Sequence, residues 1–379
     1  MMSLRSKSEL LEVTRPRYLK AIKAEKGKIL DEFIASTGYH RKYAIKILKR
    51  GRKGKSGKKG GRRKLYRGEV IQVLIQVWEI CGRICSKRLK PFIPELLAVL
   101  ERHHELELAP EIKASLCQMS AATMDRCLRK ERFDHPHGLG TTKPGTLLKN
   151  AIPIRTFFDW NDLQPGFLEI DLVAHCGNSV EGQFIYTLTA TDICTGWTEC
   201  FAVANRTQSA VFQAILEMRL RLPFPLLGID SDNGAEFIND ILYRYCLNEQ
   251  INFTRSRPYR KNDQAHVEQK NWSVVRHLIG YDRFETPEQL SLLNTIYLNL
   301  RLYSNFFQPV LKLTGKEHRN NKIIKHYDLA TTPFRRVVKS VQSTFELKAK
   351  LAYLYFQLNP VTLRKLIDDD VAKLWKIAR

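Results

Sequence analysis

No two cysteines of this 379-residue chain form a CxxC pair, although eight are present: Cys81, Cys85, Cys117, Cys127, Cys176, Cys194, Cys200 and Cys246. That scatter argues against a zinc ribbon or a thioredoxin-like redox motif and fits reduced, structural thiols of a cytoplasmic protein. His103 and His104 are adjacent and stand at no metal-ligand spacing from Cys117 and Cys127, which argues against a His–Cys zinc module. Long apolar runs are missing as well. The longest, 70–80, is broken by Gln72, Gln76 and Glu79 and is too short and too polar to span a bilayer. The first residues, MMSLRSKSELLEV, lack the continuous apolar stretch of a signal peptide. Acidic residues are scarce: 39 Asp and Glu stand against 62 Lys and Arg, giving a net charge of +23 and a pI of about 9.7. Such an excess repels itself unless a polyanion shares it. Nucleic acid is the commonest such partner, and nothing in the chain supports the alternative of an anionic membrane.

What is present divides the chain into six stretches. Residues 1–50 read as helical, with Ile29, Leu30, Phe33 and Ile34 at helical spacing, a turn at Ser36-Thr37-Gly38, and a restart at Tyr43, Ala44, Ile47 and Leu48. This is the outline of a helix-turn-helix whose second helix offers Arg41, Lys42 and Lys46 to DNA. Residues 51–68 form a basic, glycine-interleaved linker carrying Arg52, Lys53, Lys55, Lys58, Lys59, Arg62, Arg63 and Lys64. Like charges at that density resist a fixed fold and suit phosphate contacts that carry no sequence readout. A second helical block, 69–132, resembles another helix-turn-helix, with Thr123, Arg126, Arg129 and Lys130 available to DNA. The plainer reading of it is a structural subdomain. A linker rich in Gly, Pro, Thr and His follows at 133–165.

From residue 166 the pattern turns to strands. GFLEIDLVAH, QFIYTLTATD and WTECFAVAN are joined by connections short enough for an antiparallel meander. A helix over 208–222, a buried strand at PLLGIDSD, a helix over 233–248, a strand at INFTRSR and a helix over 265–279 complete the series. Three strands followed by helix-strand-helix-strand-helix is the element order of an α/β RNase H-like fold. Residues 282–379 read as mainly helical, with Asn359-Pro360 as a helix start and no catalytic motif.

Three acids fall at chemically useful points of this order: Asp171 on the first strand, Asp232 at the end of the fourth, and Glu268 on the last helix. Carboxylates placed among apolar strands are costly to bury without compensation, and divalent cations supply it. Two ions about 4 Å apart activate the attacking oxygen and stabilise the leaving one. Asp171, the SDNGAEF segment with Asp232, and Glu268 together resemble the DDE signature of retroviral integrases and related bacterial transposases. TKPGTLLKN, DLVAHCGNS, TATDICTGW and RPYRKNDQAHVEQKN are similar to bacterial insertion-sequence transposases with an integrase-type core.

The resemblance implies a polynucleotidyl transferase holding two Mg²⁺ ions, with Mn²⁺ as a substitute, on Asp171, Asp232 and Glu268. It would cleave the ends of a DNA element and join their 3′-hydroxyls to target DNA, as a homo-oligomer on the two ends and close to the bacterial nucleoid. The approach to Glu268 departs from the viral pattern. It carries Arg260 and Lys261 and, with Arg255, Arg257 and Lys270, supplies cations for the phosphate backbone. Trp272, one turn beyond Glu268, is expected in the core. Glu169 and Asp230 are rivals to Asp171 and Asp232, two residues away on the same strand faces, and only the family pattern chooses Asp171 over Glu169. Asp192 reads as a turn or supporting residue, and Glu236 as an acid in the first turn of a helix. Three other readings stay open: a metal-dependent nuclease that cuts without joining, a non-catalytic DNA-binding regulator, and a scaffold with an inert core.

Overall fold

A computed structural model describes residues 2–50, 65–132, 164–256, 264–319 and 322–378. They fall into two units, Met1–Leu65 and Tyr66–Arg379.

The first unit is three helices: α1 (Leu4–Lys20), α2 (Lys23–Thr37) and α3 (Arg41–Arg50). The Ser3 hydroxyl caps α1 by accepting the Ser6 N–H at 3.1 Å. Gly38 ends α2 with φ of +68°, a left-handed conformation that glycine adopts without strain, and its N–H returns to the Ile34 carbonyl at 2.8 Å. The chain then turns directly into α3. Leu11, Tyr18, Ile29, Leu30, Phe33, Ala44, Ile47 and Leu48 form a core of their own. The helical periodicity of α3 buries Ala44, Ile47 and Leu48 and leaves Arg41, Lys42 and Lys46 exposed.

The second unit begins with four helices, α4 (Glu69–Ile80), α5 (Ser86–Arg102), α6 (Pro110–Gln118) and α7 (Ala121–Cys127). The sheet follows: β1 (Phe167–Ala174), β2 (Tyr186–Asp192), β3 (Thr198–Val203), α8 (Gln208–Arg221), β4 (Gly228–Ser231), α9 (Asp240–Asn248) and β5 (Asn252–Arg255). Helix α10 (Ala265–Lys270) runs through a π-helical turn (Asn271–Arg276) into α11 (His277–Ile279). The chain closes with α12 (Pro287–Phe307), a hairpin of β6 (Leu313–Arg319) and β7 (Lys322–Tyr327), and α13 (Pro333–Lys339), α14 (Phe345–Gln357) and α15 (Pro360–Ile377).

The large sheet has the order β3-β2-β1-β4-β5. The β1–β2 and β2–β3 pairs are antiparallel, as their short connections require, whereas β4 lies parallel to β1 and β5 parallel to β4. The meander and the two helical crossovers match the element order read from the sequence. Helix α9 starts later than expected, at Asp240, because the Asn239 side chain caps it by accepting the Leu242 N–H at 3.0 Å; residues 233–239 are turns. The β6–β7 hairpin is a further departure, in a region otherwise helical as expected. One hydrophobic core runs from Val73 and Trp78 through the sheet to Ile367 and Leu374. The helical stretches on both sides of the sheet, read from the sequence as separate regions, therefore share its core.

Helix α12 closes the open edge of β3. Asn294 accepts the Ala202 N–H at 2.9 Å and donates to the Ala202 carbonyl at 3.1 Å. Asn305 does the same to Thr198, both bonds at 2.8 Å. Two side-chain amides thus replace the backbone of a missing neighbouring strand. An unpaired edge would otherwise expose N–H and C=O groups to another chain. The clamp is reinforced by Arg301, whose Nε donates to both oxygens of buried Glu199 at 3.0 and 2.8 Å, while the Trp197 indole donates to Glu199 at 2.8 Å. Asn305→Ala leaves two buried backbone groups without partners, a cost of about 1–3 kcal/mol for each unsatisfied group. The urea unfolding midpoint of Asn305→Ala is expected to fall, and to fall further than that of Asn294→Ala, whose side chain is only half-buried.

Candidate active site

Strands β1 and β4 bring the acids together. Their parallel register sets Glu169 beside Asp230 and Ile170 beside Ser231, so the next step brings Asp171 level with Asp232. Side chains two residues apart share a face, and all four carboxyls lie on one side of the sheet. Helix α10 packs against β1 and β2 and carries Glu268, an exposed residue. Electrostatic coupling of Asp171 to both Asp232 and Glu268 marks the three as one cluster.

The DNG motif builds the Asp232 corner. The Gly234 N–H donates to the Asp232 carboxylate at 2.8 Å. A Cβ on Gly234 would meet that carboxylate at 2.9 Å and the Glu236 carboxyl at 2.7 Å, so a side chain there would displace both acids. Asn233 fastens the turn to the end of β5: its Nδ2 donates to the Ser256 carbonyl at 2.9 Å, and its Oδ1 accepts from Arg255 Nη1 at 3.0 Å. Asp171 accepts the Leu172 N–H at 2.8 Å and an Asn271 side-chain N–H at 2.6 Å. Asn271, three residues beyond Glu268, ties the helix to the strand acid.

The electrostatics oppose three free carboxylates. Burial foremost, then the charge of Asp232 and, more weakly, that of Glu268, pushes the Asp171 carboxyl up to about 7. Burial also raises Asp232, against the Gly234 hydrogen bond, and raises Glu236, which stands near both Asp232 and Arg206. Among the described residues no three His, Cys, Asp or Glu side chains close into a ready-made metal cage. The Asp171, Asp232 and Glu268 carboxylates instead form an open arrangement. Its all-oxygen donor set and its mutual repulsion suit a hard divalent cation that keeps some ligand positions for water and phosphate.

Geometry separates the rivals that spacing left equal. Glu169 is fully buried and accepts the Val267 N–H at 2.7 Å, so it pins the first turn of α10 beneath the cluster. Burial holds its carboxyl well above the usual range. Asp230 is buried too and accepts the Thr254 hydroxyl at 2.5 Å. Asp192 is a turn residue: its two oxygens take the Gly166 N–H at 2.8 Å, the Thr195 N–H at 2.7 Å and the Thr195 hydroxyl at 2.6 Å. Asn271 and Glu236 join the site without having been selected from the sequence. A sharper reading of helical spacing would have found Asn271, since i,i+3 neighbours share a face.

Two expectations are overturned by the same helical geometry. Lys270 is buried rather than offered to DNA, and burial, helped by nearby Arg88, lowers its ammonium to about 7. It lies two residues from Glu268, about 200° round the helix, and shares the inward face with Val267. Trp272 lies four residues from Glu268, on the same outward face, and is 50% exposed instead of buried in the core. Arg255 is also internal, spending Nη1 on Asn233. Arg41, Lys42 and Lys46 are exposed on α3, and Arg41 is paired with Asp31. Arg52, Lys53, Lys55, Lys58, Lys59, Arg62, Arg63, Lys64, Arg257, Arg260 and Lys261 lie outside the described residues.

Residues 163–261 match the family model described as integrase core domain. A five-stranded mixed sheet bearing this match defines an integrase-type core. A relation over most of the chain goes further: it is 44% identical over 338 residues to the uncharacterized protein y4rM of Sinorhizobium fredii, covering 88% of this chain and 95% of that protein. The chain belongs to the family of that protein. Among solved structures it is similar to the HTLV-2 integrase catalytic core domain in complex with magnesium (dimeric form), at 16% identity and a TM-score of 0.30, covering 39% of this chain and 92% of that one.

The raised Asp171 carboxyl gives a pH signature. Its folded value of about 7 exceeds the ordinary 3.8, so between those values the folded chain holds a proton that the unfolded chain has released. The stability contributed by that proton is present below pH 4 and is lost as pH rises towards 7. In EDTA, Asp171→Asn should melt above the parent protein at pH 8, and the gap should narrow towards pH 4. Equal differences at both pH values in thermal melts would contradict the assignment.

Proposed function

We propose that this chain is a DNA transposase that cuts the ends of a mobile element and joins them to target DNA. The observation that carries the reading is the Asp171, Asp232 and Glu268 cluster: two carboxyls level on adjacent central strands, with the third on the helix packed against them. Asp171 and Asp232 would hold two Mg²⁺ ions, or Mn²⁺ in their place, and Glu268 would complete the set from its exposed position. When bound, these ions supply Lewis acidity to the attacking oxygen and charge stabilisation to the leaving one. The chain's own groups do the rest. Asn271 and the Leu172 N–H orient the Asp171 carboxylate, Gly234 orients that of Asp232, and Glu169 fixes the start of α10. Exposed Trp272, one turn from Glu268, offers a flat apolar surface on the substrate side.

The three-helix unit is the proposed reader of element ends, with α2 and α3 as a helix-turn-helix and Arg41, Lys42 and Lys46 on the groove-facing helix. The basic residues of 51–64 would neutralise phosphates beside it. In the second helical block α7 spans only seven residues, which favours the structural reading for it. Joining two ends in concert calls for at least a dimer on DNA. Among the described residues no helix is long and apolar enough to cross a membrane, and the working place proposed is the bacterial cytoplasm, on the nucleoid.

Strand transfer tests the proposal. Purified protein is mixed with labelled DNA carrying the flanking ends of its own gene, a supercoiled target plasmid and Mg²⁺. Joined product is expected, with Glu268→Gln, Asp171→Asn and Asp232→Asn each reducing it below detection. Cleavage without joining would replace the transposase with a nuclease, and end binding without chemistry would replace it with a regulator. A second readout needs no DNA. A ligand bound only by the folded state raises the melting point. Mg²⁺ should therefore raise that of the parent protein and leave Asp171→Asn nearly unmoved.

A further inference from the structure

We infer that the β6–β7 hairpin is a DNA-binding arm, separate from the acid cluster and from the N-terminal helices. This rests on the reading of the chain as an enzyme acting on DNA. The two strands form a sheet of their own, and among the described residues of 313–327 none joins the hydrophobic core. A lone two-stranded hairpin is marginal in water. This one is also strongly basic. Its sequence carries Lys316, Arg319, Lys322 and Lys325. Glu317 is the only acidic residue in 313–327, and it is in contact with His326 at 3.3 Å.

The base of the hairpin, by contrast, is firmly held. Val310 and Thr331 exchange backbone hydrogen bonds at 3.0 and 3.1 Å. The Lys312 N–H donates to the Asp328 carboxylate at 2.7 Å, and Arg336 pairs with the same carboxylate at 2.7 Å. A firmly held base carrying an exposed basic ribbon suits a polyanion as its partner. With seven residues in β6, the ribbon reaches about 23 Å at about 3.3 Å per residue. Arg319 and Lys325 are exposed on it, as are Ile324 at 38% and Tyr327 at 50%. The major groove of B-DNA admits a two-stranded ribbon. Charge and dimensions together point to duplex DNA as the occupant, with Arg319 and Lys325 on its phosphates.

The test is the salt dependence of duplex binding by the full chain. The parent, the double variant Arg319→Ala/Lys325→Ala and the charge-keeping variant Arg319→Lys/Lys325→Arg are titrated with labelled duplex DNA between about 50 and 200 mM KCl. Each lost phosphate contact should flatten the plot of log K against log salt by about 0.9, so the alanine variant should lose about 2 units of slope. The charge-keeping variant should retain the parent slope. Parent-like slope and affinity in the alanine variant would overturn the arm while leaving the transposase reading standing. An equal loss in both variants would overturn the phosphate-contact argument. Failure of the parent to bind DNA at all would overturn the arm together with the reading beneath it.

Discussion

Four carboxyls on one face of two neighbouring strands are the constraint around which this chain is arranged. Glu169, Asp171, Asp230 and Asp232 crowd the β1–β4 pair at the centre of the sheet, where burial makes their charged forms costly. The chain answers the inner and outer pairs differently. Glu169 and Asp230 are sealed in, and each accepts a hydrogen bond from the protein, one from the start of α10 and one from β5. Asp171 accepts hydrogen bonds from the Leu172 N–H and the Asn271 amide, and Asp232 accepts one from the Gly234 N–H. The inner pair underpins the strands and the start of α10, and burial raises the carboxyls of the outer pair.

That difference explains why α10 is placed as it is. A carboxyl beneath its first turn and an amide linking its second turn to Asp171 give the helix two attachments to the same strand. Between those attachments stands Glu268, facing outward. The helix is short and passes at once into a π turn. Its position thus depends on these polar ties and on Val267, which is buried.

Much of this was legible before any coordinates. Alternating apolar strands with short connections gave the meander, and Asn233-Gly234 after an apolar run put Asp232 at a strand end. What escaped reading has physical causes. The burial of Lys270 and the exposure of Trp272 invert residue-type preference, and only helical phase relative to Glu268 reveals it. The role of Glu169 depends on a hydrogen bond from Val267, 98 positions away in sequence. Asn294 and Asn305 look like ordinary polar positions on a helix; their function exists only because β3 would otherwise be a bare edge. The hairpin at 313–327 escaped because basic residues interrupt the alternation that marks a buried strand.

The asparagine clamp bears on modularity. The integrase-core match ends at residue 261, before α10 and before α12. The segment matched by that family model is therefore smaller than the body that shares one hydrophobic core. A fragment cut at the family boundary would lack Glu268. It would also present the N–H and C=O of Thr198 and Ala202 on an uncovered strand, inviting the edge of a second fragment to take the place of α12. A helix that looks like part of a C-terminal appendage thus covers the sheet edge, and it ties the core to the last hundred or so residues of the chain.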